Sequence, residues 1–243
     1  MKIESGVLKT PIKVVVDGPE GLGKTTLASK FPFPLFLDTE GSTTRLNVRR
    51  IKIASWEDLL DAIKYVKENP ALAKTLVIDT VDWAEILAIR YVCNKFRKAS
   101  LEDFGYGKGF TFVADEFVCL LKLLNEILSL GIHVVLVAHA KPRKYELPEE
   151  QGQFDRWEMK LSKQVAPLIK EWCDMLLFCN YKTFVITTDS NIADGDVKKV
   201  VSDKGHYKLE DGFDAYSDDF IQRWIIPNWK RILETINKNK EAK

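Results

Sequence analysis

Ligands for a structural metal or a disulfide framework are scarce in this sequence. Its three histidines stand apart, and Cys93, Cys119, Cys173 and Cys179 form no Cys-x-x-Cys pair. That pattern fits neither a zinc site nor a cross-linked secreted scaffold, and it suits a reducing cytoplasm. No run of about 18 apolar residues is present to cross a bilayer. Residues 1–6 carry no apolar leader, so a soluble cytoplasmic protein without a membrane partner is expected. Charge of one sign is lacking too: 36 Lys and Arg face 35 Asp and Glu, a formal net charge of +1. A uniformly basic, histone-like binder is thereby excluded, whereas local basic patches leave nucleic acid open. Internal repeats, low-complexity tracts and linker-like segments are also missing. With 46% hydrophobic residues among 243, the chain can bury one substantial core.

What is present is Gly18-Pro19-Glu20-Gly21-Leu22-Gly23-Lys24-Thr25, which fits the phosphate-binding pattern G-x-x-x-x-G-K-[ST]. The apolar run Val14-Val15-Val16 leads into it, and Thr26-Leu27-Ala28-Ser29-Lys30 continues as the first turns of a helix. The glycines let successive backbone N–H groups curl toward one anion, and the helix start adds its positive end. Residues 18–26 are therefore expected to hold the phosphates of ATP, with Lys24 at the β- and γ-phosphates. The Thr25 hydroxyl is the expected ligand of Mg²⁺.

Strand-like and helical patterns alternate along the rest of the chain. Strands are expected at 34–38, 50–54, 75–79, 134–138, 175–179 and 184–187. Helices are expected at 55–69, with Ser55 as N-cap and Asp58 completing a capping box, and at 83–98, 113–130, 161–172 and 218–236. Gly131 is placed to end the third of these. Residues 105–109 read as a glycine-rich loop and 141–159 as a polar connection. The alternation predicts an α/β, three-layer P-loop NTPase with a mostly parallel sheet flanked by helices. One domain over 1–236 is expected, its core at about 12–187, a loop-rich part at 188–236 and a basic tail at 237–243.

Asp79 closes a buried strand, the place where P-loop NTPases hold Mg²⁺ through water. Two strands, ending near Asp38 and Ala54, intervene between the phosphate-loop strand and the Asp79 strand. An inserted strand of this kind belongs to the RecA and AAA+ branch of ATPases, in which a glutamate polarises the attacking water. Glu40, just past a strand end, is the candidate base. Glu20 is a weaker rival, since it would point outward from the loop. His139 follows the strand His133-Val134-Val135-Leu136-Val137-Ala138 and is the candidate γ-phosphate sensor, while His133, at the opposite end, reads as structural.

Together these segments resemble the RecA-type ATPase core, and more closely the phage Sak-type recombinases. The similarity runs through Gly18 to Thr25, Phe36-Leu37-Asp38-Thr39-Glu40, Val77-Ile78-Asp79-Thr80, Gly105-Tyr106-Gly107-Lys108-Gly109-Phe110, residues 135–141 and Asp155-Arg156-Trp157-Glu158-Met159-Lys160-Leu161. The resemblance implies ATP-dependent binding or annealing of single-stranded DNA in phage recombination, inside a bacterial host. It implies a homo-oligomer with ATP at the subunit interface, completed by a neighbour's basic residue such as Lys160, Lys163 or Lys204. It also implies a single-strand-binding protein as a partner. Where such proteins carry a Lys-Asn-Arg-like signature, this chain reads Ser202-Asp203-Lys204-Gly205-His206-Tyr207.

In RecA-like proteins two loops line the DNA channel, and they fall here near Lys108 and over 141–163. Lys108, Arg143, Lys144, Arg156, Trp157 and Lys160 are the expected DNA contacts, with Lys141, Lys163, Tyr145 and Phe154 beside them. Basic clusters at Arg45, Arg49, Arg50 and Lys52 and at Arg90, Lys95, Arg97 and Lys98 add to the charge. Aromatic rings among cations suit sequence-tolerant single-strand binding. Two alternatives remain beside this reading, a nucleotide or nucleoside kinase and a nucleotide-gated module that recruits replication or recombination proteins. A GTPase is disfavoured because no Asn-Lys-x-Asp motif is present.

Overall fold

Short apolar runs pair side by side into one sheet, and the sequence order of those runs is not their order in space. The computed structural model describes residues 10–146 and 153–180. Its strands are β1 (Lys13–Gly18), β2 (Pro34–Asp38), β3 (Arg49–Lys52), β4 (Thr75–Asp79), β5 (His133–Glu146), β6 (Gln153–Met159) and β7 (Met175–Phe178). The helices are α1 (Lys24–Ala28), α2 (Trp56–Glu68), α3 (Val81–Lys95), α4 (Lys108–Ser129) and α5 (Val165–Trp172). The chain divides at Cys179 into two units, and every element named here lies in the first. The expected strand at 184–187, the helix at 218–236, Lys204 and the 202–207 segment lie outside the described residues.

The sheet runs β3-β2-β4-β5-β1-β7, all parallel, with β6 antiparallel to the outer half of β5. This is the expected α/β sheet, mostly parallel and flanked by helices. The inserted strand is real, but it is β5 that separates β1 from β4. Strands β2 and β3, which the sequence order sets between those two, lie beyond β4 toward the opposite edge. Position in sequence does not dictate position in a parallel sheet, because each crossover is free to step over a neighbour.

Alternate residues of the central strands bury on opposite faces. Val15, Leu37, Ile78 and Leu136 join one core with α2, α3, α4 and α5. Val14, Val16, Val77 and Val135 are equally buried on the other face, where α1 packs on β1 and β5. Strands buried on both faces read as continuous apolar runs, and these do.

Helix α2 starts as its sequence indicates: Ser55 accepts from Asp58 N–H at 3.0 Å, and Asp58 accepts from Ser55 N–H at 3.0 Å. That reciprocal pair fixes the first turn and sets Trp56 into the core against Phe117, ring centroids 5.3 Å apart. The Trp56 indole N–H also donates to Glu116 at 3.2 Å. Trp56→Ala should therefore cost about 3–5 kcal/mol, read as the change in denaturant unfolding. A loss below about 1 kcal/mol would mean that this end of the core is not packed as described.

Two connections differ from expectation. Helix α4 begins at Lys108 rather than near 113, since Gly107 at φ 70° turns the chain directly into it. Lys108 and Gly109 therefore belong to a helix and not to a loop. Residues 141–159 contain a β-hairpin, because β5 continues past the sheet as far as Glu146 and β6 returns against it. Charged residues fall on both faces of the two strands there, so no apolar stripe marks them as strands.

Candidate nucleotide site

Parallel strands present all their C-terminal ends along one edge, and the register there brings the chemistry together. Gly18 on β1 pairs with His139 on β5, Asp79 on β4 pairs with Val137, and Asp38 on β2 pairs with Asp79. The phosphate loop, Glu40, Asp79 and His139 thus fall on four elements that meet at one rim. Crevices outside strand C-termini are the usual ligand position in open α/β sheets.

The loop folds as its glycines require. Gly21 and Gly23 hold φ 78° and 74°, a left-handed conformation that side chains disfavour. A Cβ on Gly18 would lie 2.2 Å from the Cys179 carbonyl oxygen, so only glycine lets the chain beyond β7 pass this close. Lys24 is buried, with its ammonium donating to the Gly18 and Pro19 carbonyls at 2.9 and 2.6 Å. Burial pulls its pKa down from the usual lysine value. Helix α1 spans only Lys24–Ala28, so the curled amides of the loop matter more for an anion than a long helix dipole would. Glu20 is exposed, 3.9 Å from Lys160 beyond β6, which fits its reading as an outward residue.

Asp79 is completely buried. Its Oδ2 accepts from the Ser42 hydroxyl at 3.2 Å, while Oδ1 has no hydrogen-bond partner among the described residues. Burial pushes its pKa up to about 6, against the lowering effects of the Thr25 and Ser42 hydroxyls. A hydroxyl and a carboxylate side by side, with one carboxylate oxygen left open, fit a magnesium ion that takes its other ligands from phosphates and water. No group of three or more His, Cys, Asp or Glu among the described residues could hold a metal by itself.

Glu40 is positioned by its neighbours. Asp38 accepts from Gly41 N–H at 2.6 Å, from Thr43 N–H at 3.4 Å and from the Thr43 hydroxyl. The Thr39 hydroxyl donates to the Thr80 carbonyl and accepts from Thr80 N–H, both at 2.8 Å. Between these two anchors the Glu40 carboxylate reaches 4.0 Å from Nε2 of His139. Burial raises the Glu40 pKa, and His139 opposes that rise.

His139 is buried and faces two acids. Its Nδ1 lies 2.9 Å from Asp82 Oδ2, and its backbone N–H donates to Asp82 Oδ1 at 3.0 Å. The bond to Asp82 holds the His139 pKa above the usual value for histidine. Burial works to raise Asp82, yet the ring and backbone N–H of His139 overcome it and hold Asp82 below the usual range. His133, at the other end of β5, accepts from Ile12 N–H at 3.1 Å. Sequence reasoning missed Asp82 and, one turn on, Glu85. The available signal was two acids on the buried arc of a helix otherwise lined by Val81, Ala84, Ala88 and Val92.

The expected DNA contacts scatter over several elements. Lys144 and Arg156 are exposed on the hairpin, and Lys160 sits beyond β6 beside the phosphate loop. Trp157 is 40% exposed and lies 6.4 Å from Phe178, centroid to centroid. Arg143 is engaged inside the hairpin, 3.2 Å from Glu158 and donating to the Leu161 carbonyl at 2.8 Å. Lys108 is exposed in the first turn of α4. Arg49 and Arg50 donate to nearby backbone carbonyls, and Lys95 pairs with Glu116. The side chains of Tyr145 and Phe154 lie outside the described ones.

Known proteins share parts of this sequence and fold. The SPbeta prophage-derived uncharacterized protein YorG of Bacillus subtilis (strain 168) is 26% identical over 244 residues, covering 94% of this chain and 68% of YorG. A KaiC-like protein of Pyrococcus horikoshii OT3 aligns at 14% identity with a TM-score of 0.32, over 63% of this chain and 79% of that one. That likeness is too remote to add to the topology described above. No described helix is long and apolar enough to cross a membrane. Residues 10–239 match the AAA domain family, and with a phosphate loop set against a buried strand-end acid, the chain belongs to that family of P-loop NTPases.

Proposed function

We propose that this chain is an ATPase that couples Mg·ATP hydrolysis to single-stranded DNA, in the manner of the phage Sak-type recombinases. The observation that carries the reading is the strand β5. It begins in the core, places His139 opposite Glu40 at the phosphate-loop rim, and continues without a break into a hairpin bearing Lys144, Arg156 and Trp157. Similarity to a prophage-derived protein supports the phage setting.

In this reading the loop amides and Lys24 hold the β- and γ-phosphates. Thr25 and Asp79 would hold Mg²⁺, which when bound neutralises phosphate oxygens. Glu40 accepts the proton of the water that attacks the γ-phosphorus, and the bond to the β-phosphate oxygen breaks to leave ADP and phosphate. His139 directs Nε2 at the γ-phosphoryl group. Exposed cations on the hairpin neutralise DNA phosphates while Trp157 stacks on a base. ATP at a subunit interface, a basic residue from the neighbouring subunit and a single-strand-binding partner belong to the same proposal.

The test is the ATPase rate of the full chain with and without single-stranded DNA, with Lys24→Ala as the inactive control. Stimulation by DNA that the control lacks is expected. Turnover indifferent to DNA, with no DNA binding, would overturn the coupling and leave the nucleotide-gated recruiting module. The kinase alternative is disfavoured by β5, which separates the phosphate-loop strand from the Asp79 strand.

A further inference from the structure

Helix α3 starts one residue after the Asp79–Thr80 peptide and turns two acids, Asp82 and Glu85, into the protein interior. Buried carboxylates are costly unless donors meet them, so what they meet is informative. Asp82 meets two donors from one residue, the backbone N–H and the ring Nδ1 of His139. Glu85 receives the backbone N–H of Ser162 on both oxygens, at 3.1 and 3.0 Å. His139 stands where β5 leaves the sheet, and Ser162 lies three residues past the end of β6. The two feet of the hairpin are also clipped to each other, Lys160 N–H to the His139 carbonyl at 2.7 Å.

We propose that Asp82 is a positioning residue that fixes His139 with Nδ1–H turned inward and Nε2 turned toward Glu40. With Glu85, it makes α3 the anchor for both feet of the β5–β6 hairpin. The inference rests on the ATPase reading for its consequence, but not for its geometry. An ionised carboxylate offers only acceptors, so the ring nitrogen facing it must carry the proton. Nε2 is then the nitrogen left for Glu40 and the γ-phosphate. A hydrogen bond donated toward either of them needs a proton on Nε2 as well. Because the ring and the backbone of His139 share one carboxylate, the ring cannot shift without loading the strand that leads into the hairpin. Glu85 holds the returning end, so the hairpin is tied to α3 at both ends.

The test uses the full chain labelled with ¹⁵N. In the parent, the His139 imidazole should show a proton fixed on Nδ1, and the Ser162 amide should exchange slowly with solvent. In Asp82→Asn only one side-chain oxygen remains to accept, and its amide would confront the second donor. The fixed Nδ1–H signature should be lost, and kcat should fall about 10–100-fold with nucleotide affinity within about twofold. Glu85→Ala should speed Ser162 exchange by about tenfold or more, while Glu85→Gln, which still accepts, should retain protection. A parent ring bare at Nδ1 overturns the proposal without any variant, even if Asp82→Asn fails to fold. Ser162 exchange unchanged in Glu85→Ala overturns the anchor. A chain that hydrolyses no ATP would overturn the ATPase reading, and the ring and amide signals would still decide the positioning.

Discussion

Glu40→Gln is expected to bind ATP as tightly as the parent and to turn it over roughly 10²–10⁴-fold more slowly, the range a lost general base commands. The substitution keeps shape and volume and removes only basicity. Its backbone should not move, because it is held from both sides by contacts that do not involve the Glu40 side chain. Asp38 closes the turn through Gly41 and Thr43, and Thr39 is locked to both backbone atoms of Thr80. Equilibrium nucleotide binding and phosphate release measured on the same preparation would separate the two effects. Unchanged turnover would remove Glu40 from the chemistry. Glu20 would not inherit the role readily, since its exposed carboxylate turns toward Lys160.

How much of this was legible beforehand follows from how local each feature is. The phosphate loop, the β2 and β4 boundaries and the Ser55–Asp58 capping box depend on residues within a few positions of one another, and each stands in the structure where it was read. The rank of β5 within the sheet is non-local, because no residue of β5 marks which strand it will lie beside. The hairpin is hard to read from sequence for a different reason. Strands are recognised by one apolar face, and Lys141 opposite Glu158 or Arg143 opposite Arg156 shows none. Asp82 and Glu85 were hidden because acids at the start of a helix normally read as solvated, dipole-friendly residues. Their partners lie 57 and 77 positions away along the chain. Glycine content alone points to a loop around Lys108, yet Gly107 in the left-handed conformation is what allows the helix to begin there.

Asp79→Asn should make the fold more stable at neutral pH while removing its response to magnesium nucleotide. Asp79 is fully buried, one oxygen has no donor among the described residues, and the other has the Ser42 hydroxyl. Burial raises its pKa from 3.8 to about 6. The folded state thus holds this proton more tightly than the unfolded chain does. The stabilisation is complete below 3.8 and is lost as pH climbs through about 6. Above that, the ionised carboxylate costs the folded protein up to about 3 kcal/mol. Asparagine carries no such charge, so in the absence of metal its Tm at pH 8 should exceed the parent's by several degrees, and the gap should close below pH 4. Magnesium with nucleotide should raise the parent's Tm by mass action and leave the variant's nearly unmoved. Thermal unfolding between pH 4 and 8, with and without magnesium nucleotide, reads both limbs. A variant less stable than the parent at pH 8 would mean that Asp79 has donors and is a structural acid. A more stable variant still responding to magnesium nucleotide would place the cation elsewhere. Both expected outcomes together identify a carboxylate kept at a cost in stability because its open oxygen is needed for a cation.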